Sequence, residues 1–225
     1  MTAILAPHSH DHFQSLATIK DAHTRFVVTD GDSHVEWFKD FFIKHDMDRR
    51  FGLAMIHRHF DLESTEKLVE YMGTSTPWSG GSSGMKEPQP AIWAFDDEGL
   101  LRPTEFHYSG TQDIEFTDKD FEFIATFKDQ LALRGLTNIF GLARYPGDDF
   151  DGSCEFTQGR ANINLQPKDY PETLQAFSTI WFFSEPLWKR GCFYVGLLIL
   201  QLVSSARYIV ALKRSTKAGL TRLDS

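Results

Sequence analysis

The chain has 225 residues, of which 31 are acidic and 23 are Lys or Arg, so its formal net charge is −8. This length suffices for one core or two small ones, and the acidic balance argues against nucleic-acid binding, which needs a cationic surface. Two cysteines, Cys154 and Cys192, are too few for a disulfide scaffold or a cysteine-based zinc site. No secretory signal opens the sequence. These features predict a cytoplasmic protein.

The N-terminal quarter predicts helices around one short strand. A weak apolar pattern favours a helix over about 11–23, and the β-branched run Phe26–Thr29 is typical of a strand. A helix is predicted over His34–His45, capped by Ser33. Its apolar residues recur at three- and four-residue spacing: Val35, Phe38, Phe41 and Phe42.

The middle of the chain predicts mainly strands. Leu53–Phe60 is typical of a strand, and Lys67–Met72 fits either a strand or the end of a helix. The Pro-, Ser- and Gly-rich stretch 74–90 predicts a loop. Two apolar runs, Ala91–Phe95 and Leu101–Tyr108, are joined by an acidic turn that ends in Gly, which predicts a hairpin.

The clearest helix is predicted over 117–133. Thr117 is its expected cap, Gly135 ends it, and Phe121 belongs to its expected buried face with Ile124 and Leu131. Further strands are expected over 138–145 and within 154–165, whereas 174–183 fits either element. Helices and strands mix without strict alternation, which predicts an α+β class: a mixed sheet with a hairpin and a few packing helices, in a single domain.

A candidate metal site lies in the sequence HRHFDLE, residues 57–63. Side chains alternate along a strand, so His57 and His59 are expected to project together. Two imidazoles and a nearby carboxylate, supplied by Glu63 or Asp61, can hold one divalent ion of Fe, Zn or Mn and leave coordination positions open. The alternative is that both histidines are structural, hydrogen-bonded residues.

Two more residues extend this candidate site. Glu105 and His107 share the same spacing on the second hairpin strand, and either could complete the ligand set. We predict His107 as a further metal ligand and Glu105 as a supporting group.

The order Gly52, His57, His59, Glu63 resembles the first motif of the cupin family, in which a Gly precedes two His and an acid. The resemblance covers about twelve residues and implies a bound metal ion.

A second hypothesis rests on FVVTDGD, residues 26–32. This run resembles the first motif of haloacid-dehalogenase-like phosphohydrolases. The resemblance implies that Asp30 is the nucleophile and Asp32 the general acid/base. The alternative is a turn in which both acids lie at the start of the following helix.

The charge changes sign near the C-terminus. Residues 189–225 carry a net charge of +6 and the first 188 residues carry −14, and 191–206 has no charged residue. We predict one α+β domain over 10–188 and an atypical basic and apolar segment over 189–225. The apolar run fits a buried strand or helix best; a membrane contact through 191–212 or a segment foreign to the fold are the alternatives.

Three stretches, 57–78, 99–109 and 141–171, together look like a group of uncharacterised proteins from filamentous fungi. This resemblance implies a fungal cytosolic protein with a link to specialised metabolism, and it implies no catalytic residue. We therefore expect a small metal-dependent enzyme or accessory protein that acts on a small, partly apolar molecule. A non-catalytic protein that binds a small molecule or a partner is the alternative.

Overall fold

The computed structural model describes residues 4–80, 86–108, 115–166, 169, 176–185 and 192–195. Within these residues the helices are α1 (His10–Ser15), α2 (Ile19–Val28), α3 (Gly31–Lys44) and α4 (Asp118–Arg134). The strands are β1 (Phe51–Met55), β2 (Glu66–Tyr71), β3 (Thr74–Ser79), β4 (Gln89–Phe95), β5 (Leu101–His107), β6 (Phe140–Arg144), β7 (Ser153–Gln158), β8 (Ala161–Leu165), β9 (Ala176–Trp181) and β10 (Cys192–Val195).

The strands form one closed barrel in the order β1-β6-β4-β5-β2-β3-β8-β7-β10-β9, and β9 pairs with β1 to close it. Most neighbours are antiparallel, but β2 pairs with β5 and β7 pairs with β10 in parallel. The predicted hairpin is confirmed as β4 and β5. The predicted α+β class, with a mixed sheet and packing helices in a single domain, is also confirmed.

An aromatic core lies between the helices and one part of the barrel wall. The four apolar residues predicted for α3 are all buried, and Phe38 packs edge-on against Phe127 of α4 at a ring distance of 5.3 Å. Phe140 of β6 is fully buried beside Phe38. This core holds α3 and α4 against the barrel wall. The polar cluster around His57 and His59, which follow β1 in the chain, is separate from it.

The helix α4 is confirmed, with one difference in its buried face. The Thr117 side chain accepts from the Asp120 N–H, and the Asp120 carboxylate accepts from the Thr117 N–H. Gly135 ends the helix with a φ of 69°. Ile124 and Leu131 are buried as predicted, but Phe123 is 2% exposed whereas Phe121 is only half-buried. Phe123 therefore occupies the core position predicted for Phe121.

The strand predicted at Phe26–Thr29 is wrong, because these residues form the end of α2. Ala22 and Phe26, one helical turn apart, face the core. Val27 and Val28 are 61% and 80% exposed, so the β-branched pair lies on the solvent side of the last turn. The single helix expected over 11–23 is two helices, α1 and α2.

Two further boundaries differ from the predictions. The strand expected over 53–60 ends at Met55: the Ile56 N–H still bonds to the Ile139 carbonyl, but the Ile139 N–H turns back to the Leu136 carbonyl. The stretch expected to be a loop over 74–90 contains β3 and the start of β4. Paired with β2 over its whole length, β3 belongs to the barrel wall.

The division of the chain at residues 188 and 189 stays a prediction. Of the segment over 189–225 the structure describes only Cys192–Val195, and these residues are the barrel strand β10 between β9 and β7. The apolar run, for which a membrane contact through 191–212 is only the alternative prediction, lies mostly outside the described residues. In the part of the chain that is described, no helix has the length and apolar character needed to cross a membrane.

Candidate metal centre

Two histidine rings meet just beyond the end of β1. The ring centroids of His57 and His59 lie 4.6 Å apart and nearly perpendicular, so the prediction that they project together holds although they lie beyond the strand. Arg58 fixes this segment from between them: its guanidinium donates to the Gln14 and Leu16 carbonyls at 3.2 and 2.9 Å. These bonds tie the segment to the end of α1.

The hydrogen bonds of the His57 ring determine which nitrogen is free. Nδ1 of His57 lies 2.8 Å from the Met55 carbonyl oxygen. A carbonyl can only accept, so Nδ1 carries the proton and Nε2 keeps a lone pair. Burial lowers the pKa of His57, which keeps the ring neutral.

A chain of two hydrogen bonds determines the same for His59. The Thr157 hydroxyl donates its single proton to Oδ1 of Asn162 at 3.2 Å. It must therefore accept at 3.1 Å from Nδ1 of His59, which leaves a lone pair on Nε2 of that ring. Burial, and then the neighbouring His57, hold the pKa of His59 well below its usual range.

Glu155 supplies the carboxylate of this cluster. Its Oε2 accepts from Nδ2 of Asn162 at 2.8 Å, and its Oε1 accepts from the Thr179 hydroxyl at 3.1 Å. The same Oε2 lies 3.8 Å from Nε2 of His59. One ligand atom each from His57, His59 and Glu155 lie within 4.8 Å of one another, a group that can hold a metal ion.

The supporting residue predicted on β5 also reaches this cluster. Oε1 of Glu105 lies 3.9 Å from Nε2 of His59, and the Glu105 side chain is 15% exposed. Burial and then the nearby Glu155 carboxylate raise the pKa of Glu105 to about 8. Two carboxyl groups therefore flank an imidazole nitrogen that has no hydrogen-bond partner among the described residues.

The structure does not bring the other two predicted ligands to this group. Glu63 is exposed, and its backbone N–H donates to the Glu66 carboxylate at 2.7 Å. Because the strand ends at Met55, the chain has already turned toward the surface at Glu63. Nδ1 of His107 bonds to the Glu70 carboxylate, and the His107 side chain is 42% exposed.

The aspartates of the phosphohydrolase resemblance lie elsewhere. Asp30 and Asp32 are both exposed: Asp30 lies in the turn before α3, and Asp32 lies in the first turn of α3. The preceding run is helical, so the strand end on which that motif depends is not formed there.

Glu155 escaped the sequence reasoning because its role depends on the register of distant strands. The one sequence signal for its role was its position between Cys154 and Phe156 within a predicted strand. Such a glutamate has to face either solvent or a polar interior, and the alternation alone does not decide between them.

β10 borders the cluster. The Tyr194 ring centroid lies 6.2 Å from that of His59. Sγ of Cys192 accepts from the Ser153 hydroxyl at 3.0 Å. Burial and then Glu155 raise the pKa of Cys192 to about 12, so without a cation nearby the group stays a thiol.

Comparisons with known proteins give no assignment: no family model matches the chain, and neither a curated protein nor a solved structure matches it. The structure supports a general resemblance to cupins and no family assignment. It shows a barrel of strands and a group of two histidines and one glutamate that is compatible with a cupin-like motif.

Proposed function

We propose that the chain is a small metal-dependent enzyme or accessory protein, with one divalent Fe, Mn or Zn ion held by His57, His59 and Glu155. The observation that carries this proposal is the pair of buried Nε2 atoms, which have no hydrogen-bond partner among the described residues and lie close to a carboxylate. Each buried polar atom left unpaired costs about 1–3 kcal/mol. A metal ion removes both costs at once.

The surrounding hydrogen bonds support the same assignment. Histidine ligands bind metals through a neutral nitrogen, and their other nitrogen usually donates to a carbonyl, a carboxylate or a water. His57 donates to the Met55 carbonyl, and His59 donates to Thr157, which leads through Asn162 to Glu155. One network thus orients His59 and Glu155, and a separate bond to the backbone orients His57.

Three protein ligands leave coordination positions for water or substrate, which is typical of catalytic rather than structural sites. When bound, the ion would act as a Lewis acid or lower the pKa of a bound water. The chain's own residues would exclude bulk solvent, since His57 is 6% exposed and Glu155 is 9% exposed. The fungal, cytosolic setting and the small, partly apolar substrate remain part of the proposal.

A non-catalytic small-molecule-binding protein is the second candidate, favoured by a cavity of about 470 Å³. Its walls include the rings of Trp93, Phe106 and Phe116, and its polar groups include His8 and Lys67. This volume suits a small ligand, and none of the three metal-site residues lines it.

Metal binding to matched histidine variants tests the proposal. The full chain is stripped with a chelator and titrated with Mn²⁺, Fe²⁺ or Zn²⁺, and the affinity is measured by calorimetry. His59→Gln should weaken binding at least about 100-fold, because it removes a ligand. The control is His107→Gln, whose ring pairs with Glu70 and should leave the affinity unchanged.

Two outcomes would refute the metal centre. One is a wild-type chain that binds none of the three ions. The other is equal loss of binding in the His59 and His107 variants. In either case, quenching of the tryptophan fluorescence by apolar small molecules that disappears in Trp93→Phe would favour the second candidate.

A further inference from the structure

Glu105 and Glu155 differ in how their carboxylates are held. The Glu155 carboxylate is fixed by Asn162 and Thr179. The Glu105 carboxylate is largely buried, and no hydrogen bond to it is found from the residues that the structure describes. Both carboxylates lie at nearly the same distance from Nε2 of His59, at 3.9 Å for Glu105 and 3.8 Å for Glu155.

We propose that Glu105 is a fourth ligand of the same ion, which makes the centre a site of two histidines and two carboxylates. This inference rests on the proposed function. From the sequence either Glu105 or His107 could complete the ligand set, and His107 was the predicted ligand with Glu105 in support; here the two roles are reversed.

Geometry permits this ligand. Two ligand atoms that are each about 2.1 Å from one ion can be at most about 4.2 Å apart. Both carboxylate contacts to Nε2 of His59 are within this limit. Glu105 is outside the group of ligand atoms that lie within 4.8 Å of one another, so its side chain would have to rotate toward the ion to become a ligand.

Charge and chemistry favour it as well. Two carboxylates and two neutral imidazoles balance the charge of a dication, which reduces the cost of burying the ion. Without a cation, two carboxyl groups are buried close together, and hydrogen bonds from described residues hold only that of Glu155. Oxygen and imidazole donors suit Fe²⁺, Mn²⁺ and Zn²⁺, and the fourth ligand still leaves positions open on a six-coordinate Fe²⁺ or Mn²⁺ ion.

The test compares Glu105→Gln with a matched variant, Glu122→Gln, which changes an exposed glutamate on α4. The probes are Mn²⁺, for affinity, and Co²⁺, whose visible absorption reports the coordination number. Glu105→Gln should weaken Mn²⁺ binding at least about tenfold and change the Co²⁺ spectrum. Glu122→Gln should alter neither, and a purely structural role of Glu105 would not change the spectrum.

The possible results separate this inference from the metal centre itself. If the wild type binds neither ion, the metal centre is refuted. If the wild type binds both ions and Glu105→Gln behaves as Glu122→Gln does, only the fourth ligand is refuted. Should circular dichroism show that Glu105→Gln is unfolded, Glu105→Asp replaces it: an altered Co²⁺ spectrum with weaker Mn²⁺ binding supports the inference, and wild-type behaviour overturns it.

Discussion

Replacing Asn162 with Ala tests the network that orients the metal ligands. Asn162 is 1% exposed, donates to Glu155 at 2.8 Å and accepts from Thr157 at 3.2 Å. The substitution therefore breaks the link between the Glu155 carboxylate and the hydroxyl that fixes His59. A hydrogen bond to a charged group contributes about 1.5–3 kcal/mol, and 1.4 kcal/mol is a factor of ten in affinity.

Asn162→Ala should thus weaken Mn²⁺ binding between about tenfold and 100-fold, the range found for residues that orient metal ligands. It should also lower the free energy of unfolding of the metal-free protein by about 1–3 kcal/mol, since one oxygen of Glu155 loses its partner. Calorimetry measures the first effect and chemical denaturation the second.

The matched control is Asn164→Ala. Asn164 lies on the same strand directly opposite Glu155, but Asn162 and not Asn164 bonds to the carboxylate. Its loss should change the unfolding free energy by less than about 0.5 kcal/mol and leave the affinity unaltered. Wild-type affinity in Asn162→Ala, or equal effects of both variants, would refute the reasoning.

Three further predictions concern the fold and its dependence on pH. Phe123→Ala should cost about 3–5 kcal/mol in chemical denaturation and Phe121→Ala less than half as much, because only Phe123 is fully packed in the core; the reverse order would contradict the observed face of α4. In the metal-free protein, Glu105 keeps its proton in the folded state up to a pKa of about 8, whereas in the unfolded state it loses the proton above its usual pKa of 4.5. The free energy of unfolding should therefore fall as pH rises from 7 to 8. Glu105→Gln should flatten this slope. A chain ending at Arg190 lacks β10 and opens the barrel between β7 and β9, so it should bind Mn²⁺ more weakly than the full chain; unchanged affinity and stability would instead support the predicted domain boundary at 188.

Local signals explain what the sequence predicted well. The helix α4 has its cap at Thr117, its stop at Gly135 and an apolar face between them, all within 19 residues. The hairpin of β4 and β5 has an acidic turn ending in Gly99, which adopts a φ of 74°. In both elements the information that determines the structure lies inside the element.

Predictions failed where contacts between distant parts of the chain determine the local structure or the composition of the site. Phe26–Thr29 has strand-forming residues, but Ala22 and Phe26 pack as a helical face, and this packing outweighs the weak local preference. The histidine pair was visible in the sequence because its members are two residues apart. Glu155 lies almost a hundred residues further on and reaches the pair only because the barrel closes.

The central claim is that this chain holds a metal ion at His57, His59 and Glu155. Elemental analysis of the purified full-length chain, before and after reconstitution with Fe²⁺, Mn²⁺ and Zn²⁺ and removal of excess ions, tests it most directly. The structure predicts close to one equivalent of a single metal per chain, lost in His59→Gln and kept in His107→Gln. A wild-type chain that retains none of these metals under any of these conditions would contradict the claim.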